Sequence, residues 1–323
     1  MKNKFLKLIG LSIASLIVPF CASCDGINSD GKLNIIATIF PEYDYVMNVL
    51  GDKKDNVNVT LLLDSGVDLH SYQPSPKDIV KISNCDLFIY VGGESDEWVD
   101  DVLKQAKNKN MLTINLMDVL GDKKKEEEII EGMQGEEEEG EEEEVEYDEH
   151  VWLSLKNAQM FVTEISNAIS SLDKENASYY ASNAASYNAS LKDLDDKYTA
   201  AVAAGTQKTL LFADRFPFRY LTDDYGLKYY AAFIGCSAET EASFETIAFL
   251  AGKVDELGLK VILKIESSDG AIANTVKNAT QNKNQTILTM DSIQSATTKE
   301  YKGGRNYLSI MEANLNVLKE AIK

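Results

Sequence analysis

The sequence predicts an α/β protein of two βα lobes with parallel sheets, joined by a long helix. Three observations carry that expectation. Short apolar runs alternate with helical patterns between residues 33 and 120. The same alternation returns from residue 209 to Lys323. Between them, from Leu155 to Ala203, the chain is built almost wholly of helix formers.

Leu33 to Phe40 reads as the first strand, and Pro41-Glu42-Tyr43 turns into a helix through Val49. The apolar run Val57 to Leu63 is the next strand. Ser75-Pro76-Lys77-Asp78 then starts a helix, with Ser75 as N-cap and Pro76 at the first helical position. Leu87 to Val91 is a strand, Gly92-Gly93-Glu94 turns into a helix carrying Trp98, and Met111 to Leu116 is a strand. Leu172-Asp173 breaks the central helical region. From Lys174 to Ala203 the residues Tyr179, Ala184, Tyr187, Leu191 and Leu194 form one apolar stripe, on a helix about 45 Å long at 1.5 Å per residue. In the second half, Thr209 to Phe212 is a strand, and Asp214 to Phe218 turns into a helix. Tyr229 to Ile234, Val261 to Ile265 and Thr286 to Met290 are strands. Helices run from about Ser243 to Leu257, from Ala271 to Ala279 and from Tyr307 onward.

These elements divide the chain at residues 33–154, 155–203 and 204–323. Ahead of them, Lys2, Lys4 and Lys7 precede an apolar stretch from Leu8 to Phe20, too short to span a bilayer, and then Cys21-Ala22-Ser23-Cys24. Residues 1–24 read as an export signal with Cys24 as the lipidated N-terminus, and residues 25–32 as a polar tether. The formal net charge is -20. Residues 126–149 supply fourteen Glu and one Asp, so the remainder carries -5. Nucleic acid is excluded as a partner by this balance. Residues 121–147 are expected to form a disordered acidic loop, because like charges with little apolar content cannot bury a core. Cys85 and Cys236 read as free thiols.

The chain holds two histidines. His70 lies between a strand and a helix start, in Gly66-Val67-Asp68-Leu69-His70-Ser71-Tyr72-Gln73-Pro74-Ser75-Pro76. His150 lies before a helical pattern, in Asp148-Glu149-His150-Val151-Trp152-Leu153-Ser154. Both sit at element ends, where ligand-binding side chains are presented. Solvated loop histidines are the bland alternative. No His-Glu-x-x-His pair is present, and no Ser or Cys nucleophile is set beside a histidine, so no enzymatic site is expected.

Those two segments resemble the metal-binding signatures of the solute-binding lipoproteins of metal-specific ABC transporters, whose second signature usually reads Asp-Pro-His-Val-Trp. Asp224-Tyr225-Gly226-Leu227 and Asn306-Tyr307-Leu308-Ser309-Ile310-Met311-Glu312-Ala313-Asn314-Leu315 match further on. The matches run in family order from Lys32 to Lys323. The resemblance implies an extracytoplasmic, lipid-anchored monomer. It would capture Zn²⁺, with Mn²⁺ or Fe²⁺ as alternatives, in a cleft between the lobes and deliver it to a permease with its ATPase subunit. It also implies four ligands. His70 and His150 are two. Arg215 falls at the family's third position, where a guanidinium cannot ligate a cation. Asp214 is the neighbouring substitute, Asp269 maps to the fourth position, and Glu266 to an orienting role. Other readings are an adhesin with a degenerate site, to which Arg215 points, and a metal-dependent enzyme on a similar fold.

Overall fold

Each of the two sheets has four parallel strands in the same order, and the two inner strands of each bury almost continuous apolar runs, as a sheet covered on both faces requires. The computed structural model describes residues 31–135, 146–237 and 241–323. The export segment with Cys24, most of the tether, and residues 136–145 and 238–240 lie outside the described residues.

The first lobe runs β1 (Leu33–Ala37), α1 (Phe40–Leu50), β2 (Val57–Leu61), α2 (Pro76–Asn84), β3 (Leu87–Tyr90), α3 (Trp98–Lys104), β4 (Leu112–Asn115) and α4 (Leu116–Leu120). Two helices follow, α5 (Leu155–Leu172) and α6 (Ala177–Ala204). The second lobe runs β5 (Thr209–Phe216), α7 (Arg219–Tyr225), β6 (Lys228–Ile234), α8 (Phe244–Leu257), β7 (Val261–Ile265), α9 (Ala271–Ala279), β8 (Thr286–Met290), α10 (Thr298–Lys302) and α11 (Tyr307–Ala321). The sheet orders are β2-β1-β3-β4 and β6-β5-β7-β8. In each lobe the chain turns to opposite sides of its first strand, which opens a crevice at the carboxyl ends.

Helix starts follow the expected local chemistry. Ser75 Oγ accepts from Asp78 N–H, and the Asp78 carboxylate accepts from Ser75 N–H in return. Ser154 and Ser243 accept the N–H of Asn157 and Thr246 at the starts of α5 and α8, and Asn306 forms the same reciprocal pair with Ser309 at α11. The apolar stripe of α6 is carried by Tyr180 rather than Tyr179, with Ala184, Tyr187, Leu191, Leu194, Tyr198 and Val202. Tyr187 donates to Asp44 Oδ1 on α1 at 2.6 Å, and Tyr198 donates to the Met311 carbonyl on α11 at 2.7 Å. This one helix therefore binds both lobes. Trp152 Nε1 donates to the Ser292 carbonyl, and Tyr307 Oη to the Trp152 carbonyl, so the largest apolar core runs through both lobes.

Two sequence expectations are corrected here. β5 does not stop at Phe212. It continues through Asp214 and Arg215 to Phe216, with a register shift between Phe212 and Arg215 against β6. The acidic segment is not uniformly loose. Glu126 bridges Tyr147, and Gln134 bridges Phe233 on the edge strand β6. Met133 is buried, and a Cβ on Gly132 would come 1.9 Å from the Phe249 ring. Apolar Ile130 and Met133 break the charge run and anchor residues 121–135 to the second lobe. The glutamate-dense centre falls within residues 136–145, outside the described residues.

Candidate metal centre

The two histidines are built alike. In each, an aspartate two residues earlier accepts the histidine's backbone N–H, at 3.1 Å for Asp68–His70 and 2.8 Å for Asp148–His150. That local bond turns the chain into a single 3₁₀ turn, Leu69–Ser71 in one case and Val151–Leu153 in the other. His70 comes from the loop after β2, at the carboxyl end of the first sheet. His150 is fully buried beside Trp152, with ring centroids 5.3 Å apart.

Eighty positions apart in sequence, their Nε2 atoms stand 3.3 Å from each other. Both Nδ1 atoms face oxygen. His150 Nδ1 is 3.2 Å from Asp148 Oδ1, and His70 Nδ1 is 2.7 Å from Ser95 Oγ. A carboxylate only accepts, so Nδ1 of His150 carries hydrogen and its Nε2 is the free ligand atom. Burial and then the neighbouring His150 hold the His70 imidazolium down to about 3, so His70 is neutral. Burial alone would lower His150 too, but the Asp148, Glu149 and Asp68 carboxylates together outweigh it and raise the value. When His150 is doubly protonated, its Nε2–H points at His70 Nε2. A cation can take the place of that proton. Two vertices of a tetrahedron with Zn–N bonds of 2.0–2.1 Å lie about 3.3–3.4 Å apart, which matches the separation found.

Glycines allow this closeness. A Cβ on Gly235 would come 2.9 Å from His150 Cε1, and a Cβ on Gly93 2.3 Å from Glu149 Oε1. Glu149 stands where the related signature has proline. It is 2 % exposed, and Oε1 accepts from Ser95 N–H at 2.9 Å. Oε2 has no hydrogen-bond partner and lies 3.6 Å from His70 Nδ1. Burial pushes this carboxyl up to about 7.

The structure does not bring Asp214 or Asp269 to the histidines. Asp214 is turned into the sheet, accepting from Arg215 N–H at 2.9 Å and from Ile265 N–H on β7 at 3.3 Å, beyond the Phe212–Leu263 pairing of β5 with β7. Asp269 is exposed and accepts from Ala271 N–H at the start of α9. Glu266 takes Ser292 N–H and the Ser292 and Ser295 hydroxyls. Arg215 reaches across the lobes instead. Nη2 donates to Asp68 Oδ2 at 2.7 Å, and Nη1 to the Ser237 carbonyl at 3.3 Å. The residue that joins the histidines is Cys236, directly after β6. Ligand atoms of His70, His150 and Cys236 lie within 4.8 Å of one another, and among the described residues no other group of three His, Cys, Asp or Glu does so. Burial, then Glu127, Asp148 and Glu149, push the Cys236 thiol well up. Its place after Gly235, in a loop rich in small residues at a strand end, was the only sequence signal for it.

The family described as zinc-uptake complex component A, periplasmic (ZnuA), matches residues 35–321. The chain belongs to the ZnuA family. It is 34% identical over 320 residues to the zinc-binding lipoprotein AdcA of Streptococcus pneumoniae, covering 98% of this chain and 61% of that protein. It is 30% identical over 329 residues to the high-affinity zinc uptake system protein ZnuA of Bacillus subtilis, covering 98% of each. The crystal structure of Zn(II)-bound AdcA from Streptococcus pneumoniae superposes with a TM-score of 0.72 at 31% identity, over 90% of this chain and 58% of that one. The chain thus spans about three fifths of the AdcA relatives and nearly all of the Bacillus protein.

Proposed function

We propose that this member of the ZnuA family captures Zn²⁺ outside the cytoplasmic membrane and hands it to an ABC permease driven by its ATPase subunit, while held to the membrane by lipid on Cys24. The observation that carries the reading is the pair of Nε2 atoms 3.3 Å apart with oxygen behind each Nδ1. Imidazole suits zinc better than it suits Mg²⁺ or Ca²⁺. The names of the relatives, a zinc-binding lipoprotein and a zinc uptake protein, support the same cargo. Arg215, which favoured a degenerate site, is engaged with Asp68 and the Ser237 carbonyl. Among the described residues no helix is long and apolar enough to cross a membrane.

Calorimetric titration of the demetallated protein with Zn²⁺ tests this. One tightly bound ion is expected, and the His70→Ala/His150→Ala double variant should lose it by orders of magnitude. A double variant that still binds one Zn²⁺ tightly would overturn the reading.

A further inference from the structure

The expected third and fourth ligands are occupied elsewhere, and two other side chains stand in the vacant quarter. Asp214 satisfies a sheet amide, Asp269 caps a helix, and Arg215 pairs with Asp68. Cys236 already lies within 4.8 Å of both imidazoles. Beside it is Glu127, from the root of the acidic segment. Glu127 N–H donates to the Glu146 carbonyl, and Asp148 N–H donates to the Lys125 carbonyl, both at 2.9 Å. Those two bonds lay the strand carrying Glu127 along the strand carrying Asp148 and His150. Both carboxylate oxygens of Glu127 are buried and face only the Cys236 thiol and backbone, and Glu149 Oε2 behind His70 is buried without a partner. A buried carboxylate left unpartnered is unfavourable unless a cation joins it.

We propose that the cargo ion is held by His70 Nε2, His150 Nε2 and the Cys236 thiolate, with the Glu127 carboxylate as fourth donor. The proposal rests on the metal-capture reading and names its ligand set. Zn–S near 2.3 Å and Zn–N near 2.05 Å need an N···S edge of about 3.5 Å, so the Cys236 loop closes by no more than about 1.3 Å on binding. Charge supports the set. One thiolate and one carboxylate neutralise a divalent ion between two neutral imidazoles, and the Arg215–Asp68 pair beside them is neutral in itself. A thiolate also biases the site toward zinc and away from manganese, which prefers oxygen donors. The ligand from the acidic segment couples that segment to the ion.

The test uses the full chain. Co²⁺ added to the demetallated protein should give a tetrahedral visible spectrum and a thiolate-to-cobalt band in the near ultraviolet, and Cys236→Ser should abolish that band. Zinc affinity should fall in Cys236→Ser by more than the roughly 100-fold that losing an outer-sphere partner produces, and by roughly 10- to 100-fold in Glu127→Gln. In the unsubstituted protein, Zn²⁺ should protect Cys236 from iodoacetamide, read by mass spectrometry of its own peptide. That readout holds even if a variant fails to fold. Unaltered alkylation of Cys236 with zinc bound, or an unchanged cobalt spectrum in Cys236→Ser, overturns the ligand set. If the His70→Ala/His150→Ala variant has meanwhile lost zinc, capture stands and only the ligand set falls. If it has kept zinc, both fall.

Discussion

Glu42 offers a quantitative test of the fold's electrostatics. It is fully buried at the start of α1. Oε2 accepts from Thr38 N–H, Thr38 Oγ1–H and Ile39 N–H, while Oε1 has no partner. Burial, with the Asp96 carboxylate adding to it, pushes the carboxyl up to about 8 from an ordinary 4.5. Below pH 4.5 both folded and unfolded chains hold this proton. Between pH 4.5 and pH 8 the unfolded chain releases it and the folded chain does not, so stability falls as pH rises. Above pH 8 both are ionised and the loss levels off. Linkage gives a loss of about 3–4 kcal/mol between pH 5 and pH 8 from this group alone. Glu42→Gln keeps the shape and the acceptor for the Thr38 and Ile39 amides but cannot titrate. Urea unfolding at a series of pH values should therefore show the wild type losing stability relative to the variant by about that amount, while Asp44 and Asp96, both raised to about 6 by burial, titrate in each. Parallel stability curves for the two proteins would refute the argument.

Two further outcomes follow from the site. Zinc requires neutral His150, whose value is raised, so the fall in affinity with falling pH, already imposed by the Cys236 thiol, should steepen below a point above 6.5. Asp148→Asn removes the main group that raises His150, which should move that break acidward and weaken affinity by roughly 10- to 100-fold. A pH profile of zinc binding with an unshifted break would contradict this. Deleting residues 136–144, the glutamate-dense stretch beyond Glu127, should leave the zinc dissociation constant at physiological salt unchanged, since all four proposed donors lie outside it. Competition against a chromogenic chelator would detect a change.

Most of the architecture was legible because parallel strands and capped helices leave strong local marks. The strands Val261–Ile265 and Thr286–Met290 and the helix Ala271–Ala279 fall where their apolar runs and breakers put them. The short helices α4 and α10 left no such mark, each being five residues long. Both histidines were marked by their places at element ends. The role of Asp214 was not legible, because it depends on a β-bulge that only strand pairing creates. The placing of Cys236 and Glu127 near the histidines was not legible for a related reason. Their place beside His150 is set by contacts between distant segments, Gly235 against the imidazole and residues 125–127 against 146–148. Arg215 marked the departure from the family pattern, but its partner, Asp68, is 147 positions away.

The 28-residue helix α6 has mechanical consequences for how an ion gets in and out. It contains neither Pro nor Gly, and at 1.5 Å per residue it is a rod about 42 Å long. Asn183 and Tyr187 clamp it to α1, and Tyr198 clamps it to α11. A rod clamped to both lobes acts as a strut and resists wide swinging of one against the other. The short turns Leu69–Ser71 and Glu94–Asp96 beside the histidines stand outside those clamps. Exchange of the ion is then a matter of loops lifting by ångströms. Its rate should respond to loop substitutions and be indifferent to the solvent viscosity that slows the sweep of whole domains.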